Sequence, residues 1–199
     1  MIFNSNALEP VEIYKILSQT IIPRPIAWIV TKDEGIINIA PFSFFTPLSS
    51  NPPAMLVSIG YKDKEKTIEK DTLANIKKTG KCTICVVDEH NLEKMHFSSK
   101  HLEKHQSEAE HFNIKTKTID EDFPPMVEDA SVAYNCTFNQ IIELGEKSTV
   151  PVVLNIENIF IDDSKVIDKE KKVIDFNPVA RLGGAYANLS SKIVAPVIP

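Results

Sequence analysis

Lys70-Asp71-Thr72 stands directly before a stretch of helical character, a placement suited to holding a phosphate. The first N–H groups of a helix have no intrahelical partner and carry partial positive charge. Lys70 adds a full charge and Thr72 a hydroxyl, although the same residues would also serve as a plain capping sequence. A second polar cluster follows a short apolar run: Ser43, Thr46, Ser49, Ser50 and Asn51, with Pro47, Pro52 and Pro53 stiffening the chain. Hydroxyls, an amide and free backbone N–H groups on a rigid loop can bind a flat polar ring or a phosphate. They equally satisfy their own backbone in turns. Two arginines are candidates for an anion or a carbonyl: Arg24, held extended between Pro23 and Pro25, and Arg181, beside Gly183-Gly184, where backbone can come close. Either could instead form an ion pair.

Cys82-x-x-Cys85 followed by His101-x-x-x-His105 matches a Cys2His2 zinc spacing. The strand character of the segment around Cys82 and Cys85 argues against it. Residues three apart on a strand point to opposite faces, and no Gly or Pro between them supplies a turn. A dithiol redox pair fails on the same geometry. His101 and His105 read as one turn apart on an exposed helix.

The elements that would position these residues are mostly short strands. Ile26–Thr31 and Ile36–Ile39 flank the turn signal Asp33-Glu34-Gly35. Pro41 cannot donate to a sheet ladder, so the chain is expected to leave regular pairing there. That exit would free backbone groups around Ala40–Ser43, with Ser49-Ser50-Asn51 as a second wall. Of Phe42, Phe44 and Phe45, each alone reads as core. Met55–Ile59, Lys81–Val87, Val132–Leu144 and Val150–Ile161 read as further strands, the last two forming a hairpin about Gly145–Thr149. Helices are expected over Pro10–Ser18, over Asp71–Lys78 with Asp71 or Thr72 as cap and Gly80 beyond its end, and over Leu92–Glu110. The tail reads as proline-broken coil. With no repeat or linker, residues 1–199 read as one domain.

A chain of 199 residues can bury a substantial core, and 43% hydrophobic with 25% charged residues is ordinary for a globular protein. The net charge of −5 without a basic run argues against nucleic acid as a partner. No apolar run approaches the ~20 residues of a membrane helix, and the N-terminus carries no secretory pattern. Three cysteines cannot all pair within one copy, so reduced thiols and a cytoplasmic setting are expected.

Five segments in order carry a resemblance: Arg24–Trp28 (RPIAW), Asn38–Phe45 (NIAPFSFF) with Ser49–Pro53 (SSNPP), Lys70–Gly80 (KDTLANIKKTG), Ile141–Gly145 (IIELG) and Asn177–Ala187 (NPVARLGGAYA). Together they make the chain similar to flavin reductase-like proteins of the FMN-binding split-barrel group, flavoredoxin included. The resemblance implies a mainly β, antiparallel Greek-key barrel with peripheral helices. It implies a homodimer, FMN as cofactor, and NAD(P)H, free flavin or a protein acceptor as redox partners. It implies that Arg24, Asn38, Ala40, Pro41, Phe42, Ser43, Ser49, Ser50, Asn51, Arg181 and Gly183 contact the flavin, with Lys70 and Thr72 on its phosphate. Many reductases of this group carry Gly-Asp-His after the long strand, where this chain has Gly145-Glu146-Lys147. That departure leaves the nicotinamide donor open. The reading from the resemblance is an NAD(P)H-dependent flavin reductase. The alternatives are a flavoredoxin-type electron carrier without its own NAD(P)H oxidation and a haem- or flavin-binding module. No Ser-His-Asp or paired-carboxylate arrangement stands out, consistent with a cofactor carrying the chemistry.

Overall fold

The computed structural model describes residues 1–63, 65, 67–145 and 149–189. Thirteen strands and four α-helices are present among them. The strands are β1 (Ala27–Asp33), β2 (Ile36–Phe42), β3 (Phe45–Ser50), β4 (Pro53–Ile59), β5 (Lys81–Val86), β6 (Thr116–Lys117), β7 (Met126–Val127), β8 (Val132–Ile141), β9 (Val150–Ile161), β10 (Val166–Asp168), β11 (Val173–Ile174), β12 (Val179–Arg181) and β13 (Tyr186–Asn188). The helices are α1 (Pro10–Thr20), α2 (Asp71–Thr79), α3 (Leu92–Phe97) and α4 (Glu108–His111).

Seven strands form one sheet in the order β2-β1-β5-β8-β9-β4-β3, antiparallel at every pairing. Its two edge strands, β2 and β3, are consecutive in the chain. Joined through Ser43 and Phe44, they curl the sheet back on itself, and Ser58 N donates to Phe44 O at 2.8 Å across the seam. The β1–β2 hairpin turns on Glu34 and Gly35, both at positive φ (50° and 86°), as a two-residue turn matching strand twist requires.

Strand alternation splits the apolar residues between two cores. Ala27, Ile29, Val57, Cys82, Ile84, Cys136, Val152 and Leu154 fill the barrel, with Leu73 and Ile76 of α2 packed on them. Trp28, Val30, Ile39, Cys85, Met95, Ile114 and Met126 form a second core outside the sheet. Leu73 and Ile76 are fully buried; at about 1.5–3 kcal/mol each, that burial fixes where the N-terminus of α2 points. Gly80 ends α2 in the left-handed conformation (φ 73°) and donates to Ile76 O.

Several local expectations are corrected. β2 does not end at Ile39. It runs through Pro41, paired with Trp28, to Phe42, because β2 is an edge strand and an edge tolerates a missing N–H. Phe45–Ser50 is a strand with a register shift between Pro47 and Ser49, not an irregular loop. β8 ends at Ile141 rather than Leu144. The cap of α2 is Lys70, without a side-chain hydrogen bond, and Asp71 is the first helical residue. Leu92–Glu110 is two short helices separated by a loop, and His101 and His105 lie in that loop. Glu146, Lys147 and the tail from 190 lie outside the described residues.

Cys82 faces the barrel interior and Cys85 the outer core, as the strand geometry demands. All three cysteines are free and buried. A hydrogen bond with Cys136 and burial push the Cys82 thiol up, and burial pushes Cys85 up to about 12. Neither is a reactive thiolate.

Candidate functional site

Two adjoining cavities follow β2 along its outer edge. The first, of about 40 Å³, is lined by Asn38, Ala40, Lys62, Lys70, Asp71, Thr72, Ser99, Lys100, His101 and Glu108, among others. The second, of about 210 Å³, is lined by Tyr14, Pro41, Phe42, Ser43, His96, Ser99, Arg181 and Tyr186, with Ile26 and Met95. Ser99 borders both.

The small cavity gathers three lysines, a threonine and the start of a helix beside the carboxylates of Asp71 and Glu108. The first N–H groups of α2 have no partner within the helix. The hydroxyl of Thr72 accepts from Asn38 Nδ2 at 2.9 Å, so its own proton remains to be donated. Asn38 reaches Thr31 Oγ1 as well, at 3.4 Å, and Asn75 Nδ2 binds the same oxygen at 3.0 Å. This chain of buried amides and hydroxyls fixes Thr72 against β2. The ammonium of Lys70 is half-buried and has no hydrogen-bond or ion-pair partner among the described residues. Burial, and then the neighbouring Lys62, push its pKa below the ordinary lysine value, while Asp71 opposes this. A desolvated cation without a bonded partner is costly to keep charged, and a nearby anion would offset that cost.

The open edge of β2 supplies the rest. Ile39 N donates to the Glu108 carboxylate at 2.9 Å, and Ser107 Oγ donates to Ile37 O at 2.6 Å. Antiparallel alternation then directs Pro41 to the same open edge. The Pro41 ring therefore replaces an N–H that no strand needs, and Pro41 and Ser43 both line the larger cavity. Ser43 Oγ has no hydrogen-bond partner among the described residues. The turn at Ser98-Ser99 is held by Trp28 Nε1, which donates to Ser98 Oγ at 2.9 Å. At the cavity mouth His96 Nδ1 lies 2.9 Å from the Tyr186 hydroxyl, and the Arg181 guanidinium stacks 4.5 Å over the Tyr186 ring.

Thus Asn38, Ala40, Lys70 and Thr72 meet at one cavity, and Pro41, Phe42, Ser43 and Arg181 at the next. Phe42 is also core, within the barrel. The other candidates are placed differently. Arg24 is buried and turned away, its Nη1 donating to Ser18 O and Ile21 O at the end of α1. Its backbone pairs with that of Arg181, so it positions that residue. Gly183 packs on α1, where an added Cβ would come 2.9 Å from Gln19 Cγ. Ser49, Ser50 and Asn51 are exposed at the end of β3, and Asn51 N donates to Ser49 Oγ at 3.1 Å, an ordinary turn bond. Sequence reasoning missed Lys62, Ser99, Lys100, Glu108, His96 and Tyr186. The aromatic in Gly184-Ala185-Tyr186 was the one local signal among them.

Residues 18–190 match a family model described as a flavin reductase-like domain. The fold superposes on the 2-nitrobenzoate 2-nitroreductase of Pseudomonas fluorescens with a TM-score of 0.87 at 26% identity, covering 100% of this chain and 96% of that one. For component B of nitrilotriacetate monooxygenase from Bacillus cereus the TM-score is 0.89 at 25% identity, covering 98% of both chains. A protein of Shewanella frigidimarina with a split-barrel domain of the flavin-reductase type gives 0.80 at 23% identity over the full length of both chains, a likeness of fold.

Proposed function

Because the chain belongs to the flavin reductase-like family, we propose that it is an FMN-dependent oxidoreductase that takes electrons from NAD(P)H and passes them to free flavin or a protein acceptor. The observation that carries the FMN reading is Lys70: a half-buried ammonium with no bonded partner among the described residues, at the N-terminus of a helix, next to a cavity on an open strand edge. Lys70, Thr72 and the first N–H groups of α2 hold the phosphate, with Lys62 and Lys100 adding positive charge. Pro41 O and Ser43 N–H, with Ser43 Oγ, receive the polar edge of the ring system in the larger cavity. When bound, FMN supplies two-electron chemistry at its ring. The chain positions that ring, excludes water behind it with Phe42 and Met95, and holds an exchangeable proton between His96 and Tyr186 at the mouth. Arg181 adds a fixed positive charge there, suited to the anionic form of a reduced ring.

The working form is a homodimer in this reading. α1, the two residues after it and β3 expose Val11, Tyr14, Ile21, Ile22 and Leu48, each 45–61% accessible, and an apolar face of this kind favours association. Tyr14 lies both on that face and on the larger cavity. Ser49, Ser50 and Asn51, at the end of β3, would then reach a flavin only from a partner copy. The three buried free thiols suit a reducing compartment such as the cytoplasm, and no helix among the described residues is long and apolar enough to cross a membrane.

The test is spectroscopic. Purified protein should show flavin absorbance that is bleached by NADH or NADPH under anaerobic conditions. Flavin absorbance without bleaching would leave an electron carrier in place of a reductase. A Soret band, or no flavin uptake by the apo protein, would refute the reading.

A further inference from the structure

The phosphate cavity ends at a wall. Lys62 Nζ reaches both carboxylate oxygens of Asp71 at 2.8 Å, with both side chains less than one-fifth exposed. Lys62 is not a loose surface lysine. Asp63 accepts from Thr67 N, Ile68 N and Thr67 Oγ1, Lys62 N donates to Ile68 O, and Tyr61 bridges Glu69. These bonds tie residues 61–63 to residues 67–69 and deliver Lys62 at a fixed place. On the phosphate side of this wall the cavity is only about 40 Å³. On the far side, beyond Asn38 and Asp71, lies a larger cavity of about 320 Å³ lined by Asp33, Glu34, Asn75, Lys104 and His105, among others.

We propose that the Lys62–Asp71 pair is the specificity determinant of the site: it admits a flavin ending in a monophosphate and rejects one extended by an adenylate. This rests on the flavin reading above. A terminal phosphate fits against Lys70, Thr72 and the α2 N-terminus with nothing beyond it. Asn38 and Asp71 line both cavities, so a diphosphate extended along β2 toward the larger one would pass Asp71, and its second phosphate would meet a carboxylate, anion against anion. Lys62 is committed to Asp71 and cannot serve both phosphates without leaving it. The room needed by an adenosine exists, but behind the wall.

Apo protein titrated with FMN and with FAD tests this by flavin fluorescence and calorimetry, without any turnover. Wild-type protein should prefer FMN by about 100-fold or more, and Asp71→Ala should narrow the preference at least about tenfold, chiefly by gaining FAD affinity. Asp71→Asn keeps the size and removes the charge, separating repulsion from closure. Lys62→Met leaves the Asp71 carboxylate unneutralised without touching the start of α2, and should widen the preference for FMN, which keeps the proposal testable if the Asp71 variants fail to fold. Equal wild-type affinities for the two flavins, or an unchanged preference in folded Asp71→Ala and Lys62→Met, would overturn the proposal while leaving the flavin reading intact. Binding of neither flavin would refute that reading, and this inference with it.

Discussion

Replacing Lys70 by alanine is the sharpest perturbation of the proposed phosphate site. The ammonium is half-buried, partnerless among the described residues and next to Lys62. A charge-assisted contact made there contributes about 1.5–3 kcal/mol, and every 1.4 kcal/mol is tenfold in affinity. Lys62 and Lys100 remain nearby and solvent screens part of the field, so the lower half of that range applies. FMN affinity should fall by roughly 10–30-fold. Riboflavin has the same ring and no phosphate, and its affinity should hardly change. Calorimetric titration of both ligands against wild-type and Lys70→Ala protein reads the difference directly. The fold should survive, because the alanine removes an unpaired buried charge rather than a bond. A pH signature accompanies the mutation. Burial and Lys62 lower the Lys70 pKa in the free protein, whereas a bound phosphate favours the protonated form and raises it. FMN affinity must therefore decline as pH rises, beginning below the range of an ordinary lysine, and Lys70→Ala should abolish that decline. Equal losses for FMN and riboflavin, or an alkaline limb that persists in the variant, would refute the assignment of Lys70 to the phosphate.

Three other outcomes are expected. Ser43→Trp fills the larger cavity from its wall, so FMN uptake should be lost while the apo melting temperature stays within a few degrees of wild type; full occupancy would place the ring elsewhere. Leu48→Asp puts a charge on the exposed face of β3 and should shift a dimer toward monomer in sedimentation velocity at micromolar concentration, whereas a wild-type monomer would remove the dimer from the proposal. Glu108 carries a pKa raised chiefly by burial, with the Ile39 N–H opposing. The fold thus binds its proton more tightly than the unfolded chain, so stability falls as pH rises from the ordinary glutamate range through the raised value; Glu108→Gln keeps an acceptor for Ile39 and should flatten that slope in chemical denaturation.

What the sequence made legible was local chemistry. Asp33-Glu34-Gly35 reads as a turn because Gly35 adopts positive φ at low cost, and Gly80 reads as a helix end for the same reason. The opposed faces of Cys82 and Cys85 follow from strand alternation alone, and Lys70-Asp71-Thr72 from its place before a helix. The misreadings share a different origin. Pro41 marks the end of a central strand but not of an edge strand, and which strand is an edge depends on pairings far along the chain. Phe45–Ser50 hides its strand behind Pro47 and a register shift. Leu92–Glu110 lacks any Gly or Pro, yet the chain breaks where Trp28, 70 positions away, holds Ser98. Glu108 reaches Ile39 across 69 positions, and no periodicity in either segment signals it. The candidate site is made of the same long-range property. Its larger cavity lies where β2 has one unpaired side, and Ser107 and Glu108 cover that side only as far as Ile39. Beyond this point the edge stays open at Pro41, with Ser43 just past its end, which is where a planar ligand able to pair with backbone would extend the sheet.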